Sequence, residues 1–326
     1  MSMFAMTDML SVAASALVTR RYCLITPCRD EAKYARRTLN SIVNQSVRPT
    51  LWIIVDDGSK DETPQILAEY AAKYSWIKII TRPDRGKRKV GGGVVDAFYA
   101  GYDTITPHDF DYVTKLDLDL DIPPTYFERM MQHMEHNPRL ATVSGKPYME
   151  LDGKLVSEMC GDENSVGMIK FYRTTAFTQI GGFVRQVMWD GIDGHRCRIM
   201  GWQAMSKDEA DTRFVHLRPM GTSHKSWWTG RVRHGFGQYF MGTGFFYMLA
   251  SCAFRALHPP IVLGSTAMMW GWLRSFFKRE ERYGDRAFRR FLNSYQWACL
   301  LKGKRRATAD LESRMSETWK NSHPGV

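Results

Sequence analysis

The chain has 326 residues, of which 44% are apolar and 24% are charged. These fractions are typical of a globular protein with a sizeable core and exclude disordered and collagen-like chains. Six cysteines without a C-x-x-C pair favour free thiols in a reducing compartment over a disulfide scaffold or a cysteine-ligated metal. The net charge of +11 lies entirely in residues 225–326, which hold 17 basic and six acidic residues.

The N-terminal two thirds alternate strand and helix patterns. Residues 1–20 predict a poorly ordered tail, because their positive charge follows the apolar stretch and a signal peptide has the opposite order. Short apolar runs then alternate four times with helical patterns, and Gly91–Gly93 opens one of the helices. This alternation predicts an α/β fold with a mostly parallel sheet and helices on both faces.

Acidic residues follow the predicted strands of this sheet. They are Asp30 after the first strand, Asp56 and Asp57 after the second, and Asp117 and Asp119 after a later one. Ligands of such sheets bind beyond the carboxyl ends of the strands. We therefore expect these carboxylates to converge on one crevice.

The run from Lys115 to Pro124 alternates aspartate with leucine. Alternation at period two predicts an extended segment with its carboxylates on one face. Carboxylates so close together repel each other unless a cation lies among them, and Mg²⁺ or Mn²⁺ is held by one or two carboxylates plus substrate phosphates. The alternative is a solvated strand end.

Several segments in this order resemble the inverting glycosyltransferases of family 2, which have a GT-A fold. They are TPCRDEA, VDDGSKDET, KRKVGGGVVDAF, KLDLDLDIPP and IGGFVRQVMWDGIDGHRCRIMGW. The resemblance covers roughly residues 20–225 and implies a catalytic domain at 21–225. It implies a nucleotide-sugar donor and a divalent metal, Mg²⁺ or Mn²⁺.

The resemblance also assigns roles to residues. The donor-binding set it implies is Pro27, Asp30, Asp56, Asp57, Arg88 and Asp117. An acidic group such as Asp57 or Asp30 accepts the base N–H. Asp119 is the expected metal ligand, and His224 is a candidate second one, although a lone histidine is more often a surface residue. Arg88 lies between Lys87 and Lys89. This basic segment either faces the phosphates of the donor or belongs to a solvated loop.

Inversion requires a general base on the face opposite the leaving group. Asp190 lies where the family has its base, and Asp193 is the alternate one turn further on. The match is imperfect, since Trp189 stands where a glutamate is common. The non-catalytic alternative for Asp190 is a helix N-cap.

Residues 226–326 predict a basic, aromatic-rich helical region. Two uncharged stretches, Gly235 to Phe254 and Ala256 to Leu273, are nearly long enough to span a bilayer, but polar residues and Pro259-Pro260 interrupt them. Aromatic residues flanked by Lys and Arg favour monotopic attachment to an anionic membrane, with a soluble helical subdomain as the alternative. Long apolar runs argue against nucleic acid as the partner.

Together these features predict a metal-dependent inverting glycosyltransferase at the cytoplasmic face of a bacterial inner membrane. The expected donor is a UDP-, GDP- or dTDP-sugar, and the expected acceptor is a polyprenyl-diphosphate-linked saccharide of exopolysaccharide or lipopolysaccharide biosynthesis. One alternative is a processive polysaccharide synthase, although residues 238–242 lack the Q-x-x-R-W signature of those enzymes. The other is an inactive nucleotide-binding scaffold, against which the intact acids argue.

Overall fold

The computed structural model describes residues 20–84, 86, 91–218, 227–257 and 261–324. Its strands are β1 Tyr22–Cys28, β2 Leu51–Asp56, β3 Ile77–Thr81, β4 Tyr112–Leu116, β5 Leu120–Asp121, β6 Leu140–Ser144, β7 Lys146–Leu151, β8 Lys154–Ser157, β9 Ile169–Arg173, β10 Gln203–Ser206 and β11 Arg213–His216. Its α-helices are α1 Ala32–Val43, α2 Thr63–Lys73, α3 Gly92–Tyr102, α4 Tyr126–His136, α5 Thr174–Gln179, α6 Trp189–Ile199, α7 Trp227–Met241, α8 Phe245–Arg255, α9 Leu263–Phe277, α10 Arg286–Lys302, α11 Lys304–Arg314 and α12 Ser316–Ser322.

Seven strands form the main sheet in the order β10-β6-β9-β4-β1-β2-β3. Strand β9 pairs antiparallel with both β4 and β6, and the other pairings are parallel. The predicted α/β class is confirmed, and β9 makes the sheet mixed. Because β4, β1 and β2 are adjacent and parallel, their carboxyl ends meet at one edge.

Helices cover both faces of this sheet. Helix α1 buries Ala35, Leu39, Ile42 and Val43, the stripe that its spacing predicts, against one face. Helix α3 packs on the other face, where Gly101 lies so close to β1 and β2 that a Cβ would be 3.0 Å from Ile25 and Val55 methyl groups. Burial on two faces explains why β1 has no exposed residue.

A second sheet, β5-β11-β7-β8, lies beside the acidic run. The run itself is not the extended segment that the alternation predicts. Strand β4 ends at Leu116, and Asp117 to Asp119 form a turn before β5. Leu118 and Leu120 both enter the core, and Thr38 Oγ1 accepts a hydrogen bond from Leu120 N at 3.1 Å. Leu116, Leu118 and Leu120 still pack into the core, as the alternation predicts, but the backbone turns at Asp117–Asp119 and does not continue β4.

The C-terminal helices pack on the sheet domain. Phe240 and Leu292 contact Ile192 of α6, and Trp319 joins the core beneath Trp202, with ring centroids 5.8 Å apart. Helices α7 and α9 cross closely at Gly235 and Gly271. Residues 242–244 interrupt the first predicted uncharged stretch, and helix α9 begins at Leu263, within the second stretch. No helix within the described residues is long and apolar enough to cross a membrane.

Candidate active site

A tight turn follows the second strand, and a hydrogen bond to an acidic side chain of that strand stabilises it. Asp56 is the last residue of β2 and is 2% exposed, and its Oδ1 accepts a hydrogen bond from Ser59 N at 3.0 Å. Pro27 lies within β1, in register with Val55. Both residues therefore shape the edge of the crevice. Gly58 adopts a φ of +77° in this turn, a conformation that favours glycine.

Two arginines fix the next acids. Arg82 Nη1 lies 2.9 Å from Asp57 Oδ1, and Arg29 donates to Asp57 O at 3.1 Å and to Asp84 Oδ1 at 2.7 Å. Asp30 has a left-handed φ of +54° and is the more exposed acid, and its Oδ1 accepts from Lys60 N at 2.8 Å. The orientation of both carboxylates is thus set before any ligand binds.

Asp117 begins the acidic turn and is held by a buried lysine. Lys115 Nζ lies 2.5 Å from Asp117 Oδ1 and donates to Gly167 O at 2.8 Å. Burial and the neighbouring Asp119 raise the pKa of Asp117, against the opposing effect of Lys115. One third of the Asp117 side chain remains exposed to the crevice.

Asp119 has one carboxylate oxygen that is buried and has no hydrogen-bond partner, Oδ1. Its Oδ2 lies 3.1 Å from Arg218 Nε and 3.9 Å from His216 Nε2. Within the described part of the chain, no three His, Cys, Asp or Glu side chains are grouped closely enough to hold a metal ion. Asp117 and Asp119 nevertheless fit a hard cation, because Mg²⁺ takes one or two carboxylates and completes its shell with phosphates and water.

His216 is a neighbour of this turn that the sequence reasoning missed. Its Nδ1 lies 2.8 Å from Glu158 Oε2. Burial lowers the pKa of His216, but the hydrogen bond and charge of Glu158 and the charge of Asp119 outweigh burial, so the pKa is raised. The pairing of β11 with β5 brings His216 close to Asp119, and local sequence does not reveal this proximity. The two predicted residues His224 and Arg88 lie outside the described residues.

Asp190 lies in the first turn of α6. The cap of this helix is Met188, with a φ of +64°, and no side chain caps it, so Asp190 is not the N-cap. A Cβ on Gly167 would be 2.6 Å from Asp190 Oδ2, which places the carboxylate against the loop that Lys115 holds. The Asp190 side chain is partly exposed.

Asp193, the alternate candidate for the base, is 1% exposed, and both of its carboxylate oxygens accept hydrogen bonds. Lys170 Nζ lies 2.7 Å from its Oδ2 and 2.9 Å from its Oδ1, Tyr172 Oη donates to Oδ2, and Gly194 N donates to Oδ1 at 2.6 Å. A carboxylate with these partners is not available to an acceptor hydroxyl. Of the two candidate carboxylates, Asp190 is the one that remains partly exposed.

Two buried lysines link the surroundings of Asp117 to those of Asp190. Lys115 and Lys170 are cross-strand neighbours of β4 and β9, and their ammonium groups lie 5.3 and 5.8 Å from the Trp189 ring. Lys170 also donates to Asp190 O at 3.0 Å. One antiparallel pair therefore positions Asp117 at its end and the first turn of α6 beside it.

The fold and this crevice define an α/β protein of the GT-A-like class, in which a nucleotide-sugar binds beyond the strand ends. The sequence model of Glycosyl transferase family 2 matches residues 23–184, about half of the chain. The chain belongs to this family.

Its curated relatives include polysaccharide synthases. The poly-beta-1,6-N-acetyl-D-glucosamine synthase of Staphylococcus aureus (strain COL) is 24% identical over 152 residues, which are 46% of this chain and 34% of the synthase. The synthase of Staphylococcus epidermidis is 27% identical over 121 residues, 37% of this chain and 27% of that one. This chain thus spans about a third of the length of the curated relatives it matches.

Two solved structures share the fold. The mannosyltransferase PcManGT from Pyrobaculum calidifontis, in complex with GDP-Man and Mn²⁺, aligns with a TM-score of 0.51 and 16% identity over 94% of this chain and 88% of that one. GalNAc-T7 with UDP, GalNAc and Mn²⁺ aligns with a TM-score of 0.51 and 11% identity over 79% and 57% of the two chains. At these identities the likeness concerns the fold alone. The fold class is GT-A-like, as the resemblance implied.

Proposed function

We propose that this protein is a nucleotide-sugar glycosyltransferase that transfers one sugar, with inversion, from a UDP-, GDP- or dTDP-sugar to a polyprenyl-diphosphate-linked saccharide at the cytoplasmic face of a bacterial inner membrane. The reaction requires Mg²⁺ or Mn²⁺ and serves surface polysaccharide biosynthesis. The observation that carries the acceptor assignment is the exposed face of residues 245–257, which is wholly apolar. The structural neighbours with GDP-Man or UDP and Mn²⁺ in their sites support the donor class and the metal.

The donor binds across the ends of β1, β2 and β4. Asp30 and Asp57 receive the N–H groups of the base, and Asp117 and Asp119 would hold the metal at the diphosphate. A bound Mg²⁺ or Mn²⁺ neutralises charge that develops on the leaving diphosphate. The unpartnered Oδ1 of Asp119 supports its assignment as a ligand, since a buried carboxylate oxygen otherwise loses its hydration without compensation.

Asp190 acts on the acceptor. Its carboxylate takes the proton of the acceptor hydroxyl while that oxygen attacks the anomeric carbon from the face opposite the diphosphate. The carbon–oxygen bond to the diphosphate breaks, and the products are the inverted glycoside and the nucleoside diphosphate. Lys170 holds the first turn of α6 by its bond to Asp190 O, so it positions the base.

The docking face supports a lipid-linked acceptor. It consists of the exposed large apolar residues of α8, of the turn after it, and of the end of α10: Phe245, Phe246, Leu249, Phe254, Leu257, Trp297, Leu300 and Leu301. Phe246 and Trp297 join the two helices, with ring centroids 5.6 Å apart. In water this much clustered apolar surface is unfavourable, which is typical of a surface that enters a membrane interface.

Basic residues continue the docking face. Lys302, Lys304, Arg305 and Arg306 follow Leu301 directly and are exposed. Each basic group near an anionic leaflet contributes about 1 kcal/mol of attraction. This combination fits a membrane that contains anionic lipid, in which the acceptor's polyprenyl tail also resides.

Processive synthesis is the second candidate, because the curated relatives are polysaccharide synthases. The match covers about a third of the length of those proteins, so it does not favour repeated transfer over single transfer. The length of the product separates the two candidates.

The test is a transfer assay with the full chain, vesicles that carry a polyprenyl-diphosphate-linked saccharide, and each of the UDP-, GDP- and dTDP-sugars. We expect one donor to extend the acceptor by one sugar, with loss of transfer in EDTA and recovery with Mn²⁺. Products longer by many sugars would establish the synthase instead. Transfer that persists in EDTA would overturn the metal assignment.

A further inference from the structure

Arg218 connects two acidic segments that are far apart in the sequence. Its Nη2 contacts Glu31 Oε2 at the start of α1, and its Nε lies 3.1 Å from Asp119 Oδ2 in the acidic turn. The guanidinium also lies 5.2 Å from the centre of the Tyr34 ring. Arg218 is 15% exposed, and the carboxylates it joins are 5% and 12% exposed.

This position gives Arg218 an electrostatic role at the proposed metal site. Charge pairs that are mostly buried are screened far less than surface pairs. The guanidinium neutralises Asp119 through Oδ2 while Oδ1 has no partner. A divalent cation on Asp119 would therefore lie next to an existing positive charge and share its carboxylate.

We propose that Arg218 is an internal counter-ion that opposes metal binding until the donor's diphosphate arrives. The diphosphate adds negative charge near both the metal and the guanidinium. Both positive groups are then attracted to the same ligand, and this attraction outweighs their mutual repulsion. Metal and nucleoside diphosphate then bind with positive coupling. This inference rests on the proposed metal role of Asp119, and Arg218 acts here as a positioning residue.

The experiment is calorimetric titration of the full chain with Mn²⁺ alone, followed by the same titration with UDP or GDP present. Without nucleotide, Arg218→Gln should bind Mn²⁺ at least about tenfold more tightly than wild type, because a neighbouring positive charge is gone. The factor by which the nucleotide improves Mn²⁺ affinity should shrink in the variant.

Arg37→Gln is the matched control. Arg37 Nε pairs with Asp121 Oδ2 at 2.7 Å, two residues beyond Asp119, but half of the Arg37 side chain is exposed. The Arg37→Gln substitution removes the same formal charge from the same region. The Mn²⁺ affinity of this variant should stay within about twofold of wild type, because exposed charges are screened. Arg218→Lys keeps the charge without the fork that reaches two carboxylates and should give an intermediate affinity.

Two outcomes separate this inference from the function it rests on. Equal Mn²⁺ affinity in wild type and Arg218→Gln, with Asp119→Asn abolishing binding, would overturn the counter-ion role and leave the metal site intact. Unchanged Mn²⁺ binding in Asp119→Asn would overturn the metal site itself. If Arg218→Gln does not fold, as judged by circular dichroism, the wild type decides: an Mn²⁺ affinity that UDP or GDP does not raise contradicts the proposal.

Discussion

The sheet domain and the C-terminal helices use apolar surface in opposite ways. Among the described residues, those from 20 to 218 include five exposed large apolar side chains, and those from 227 to 324 include fifteen, although the second set is about half the size of the first. The first part buries its apolar residues between the sheet and the helices on both of its faces. The second carries nearly all of the net charge together with the docking face. This difference is the reason for the proposal of two environments, with water around the crevice and a lipid interface around α8.

The two regions also bury different polar groups. Beneath the crevice the buried groups are charged, as in the Lys170–Asp193 pair. In the helical region the break at residues 242–244 is satisfied by neutral groups: Gln296 Oε1 accepts from Gly244 N at 2.9 Å, and Thr243 Oγ1 donates to Gln238 Oε1 at 2.7 Å. Buried charge is costly unless it is paired, so its concentration near Asp190 indicates positioning for chemistry.

The largest expected effect concerns the crevice. Asp190→Asn should lower transfer by about 10²–10⁴-fold, because the amide has nearly the same shape but cannot take the acceptor's proton. Donor affinity, measured by calorimetry, should remain that of wild type. Asp152→Asn in the exposed β7–β8 turn is the control, since asparagine tolerates its φ of +50°. Activity of Asp190→Asn within a few-fold of wild type would move the base to another group.

Asp193→Asn tests whether Asp193, unlike Asp190 on the same helix, has a structural role. It leaves the Lys170 ammonium buried without its counter-charge, so the free energy of unfolding should fall by about 3–5 kcal/mol. Denaturant titration measures this change. Glu317→Gln breaks the exposed Lys320 pair and should cost at most about 1 kcal/mol. Equal stability of the Asp193 and Glu317 variants would refute the structural role of Asp193.

The helix crossing of α7 and α9 should respond to a single methyl group. A Cβ on Gly235 would be 1.9 Å from Met268 O, so Gly235→Ala must separate the helices and cost about 1–3 kcal/mol. Gly284→Ala is the control, because a Cβ there meets no atom within 4 Å. Thermal unfolding in detergent or lipid compares the two. A Gly235→Ala protein as stable as the control would show that the crossing is looser than described.

Local sequence patterns predict the fold better than they predict the crevice. The stripe of α1, the glycine start of α3 and the acids at the strand ends follow from short-range periodicity and turn chemistry. The turn at Asp117–Asp119 does not, because its surroundings include contacts with residues distant in sequence, such as the hydrogen bond from Leu120 N to Thr38 Oγ1. His216 and Arg218 reach Asp119 through the pairing of β11 with β5, a contact that spans nearly a hundred residues. Long-range strand pairing thus determines the partners of the acids.

The proposed function requires a donor crevice and a lipid-docking face in one molecule. Flotation with phosphatidylcholine vesicles containing phosphatidylserine or cardiolipin tests it most directly. We expect the wild-type chain to float at low salt and to be only partly released at high salt, since apolar insertion is not screened. Phe254→Glu/Leu257→Glu should abolish flotation, whereas Leu151→Glu/Leu155→Glu on the exposed β7–β8 hairpin should leave it intact. A wild-type chain that stays in the soluble fraction at low salt would contradict the account.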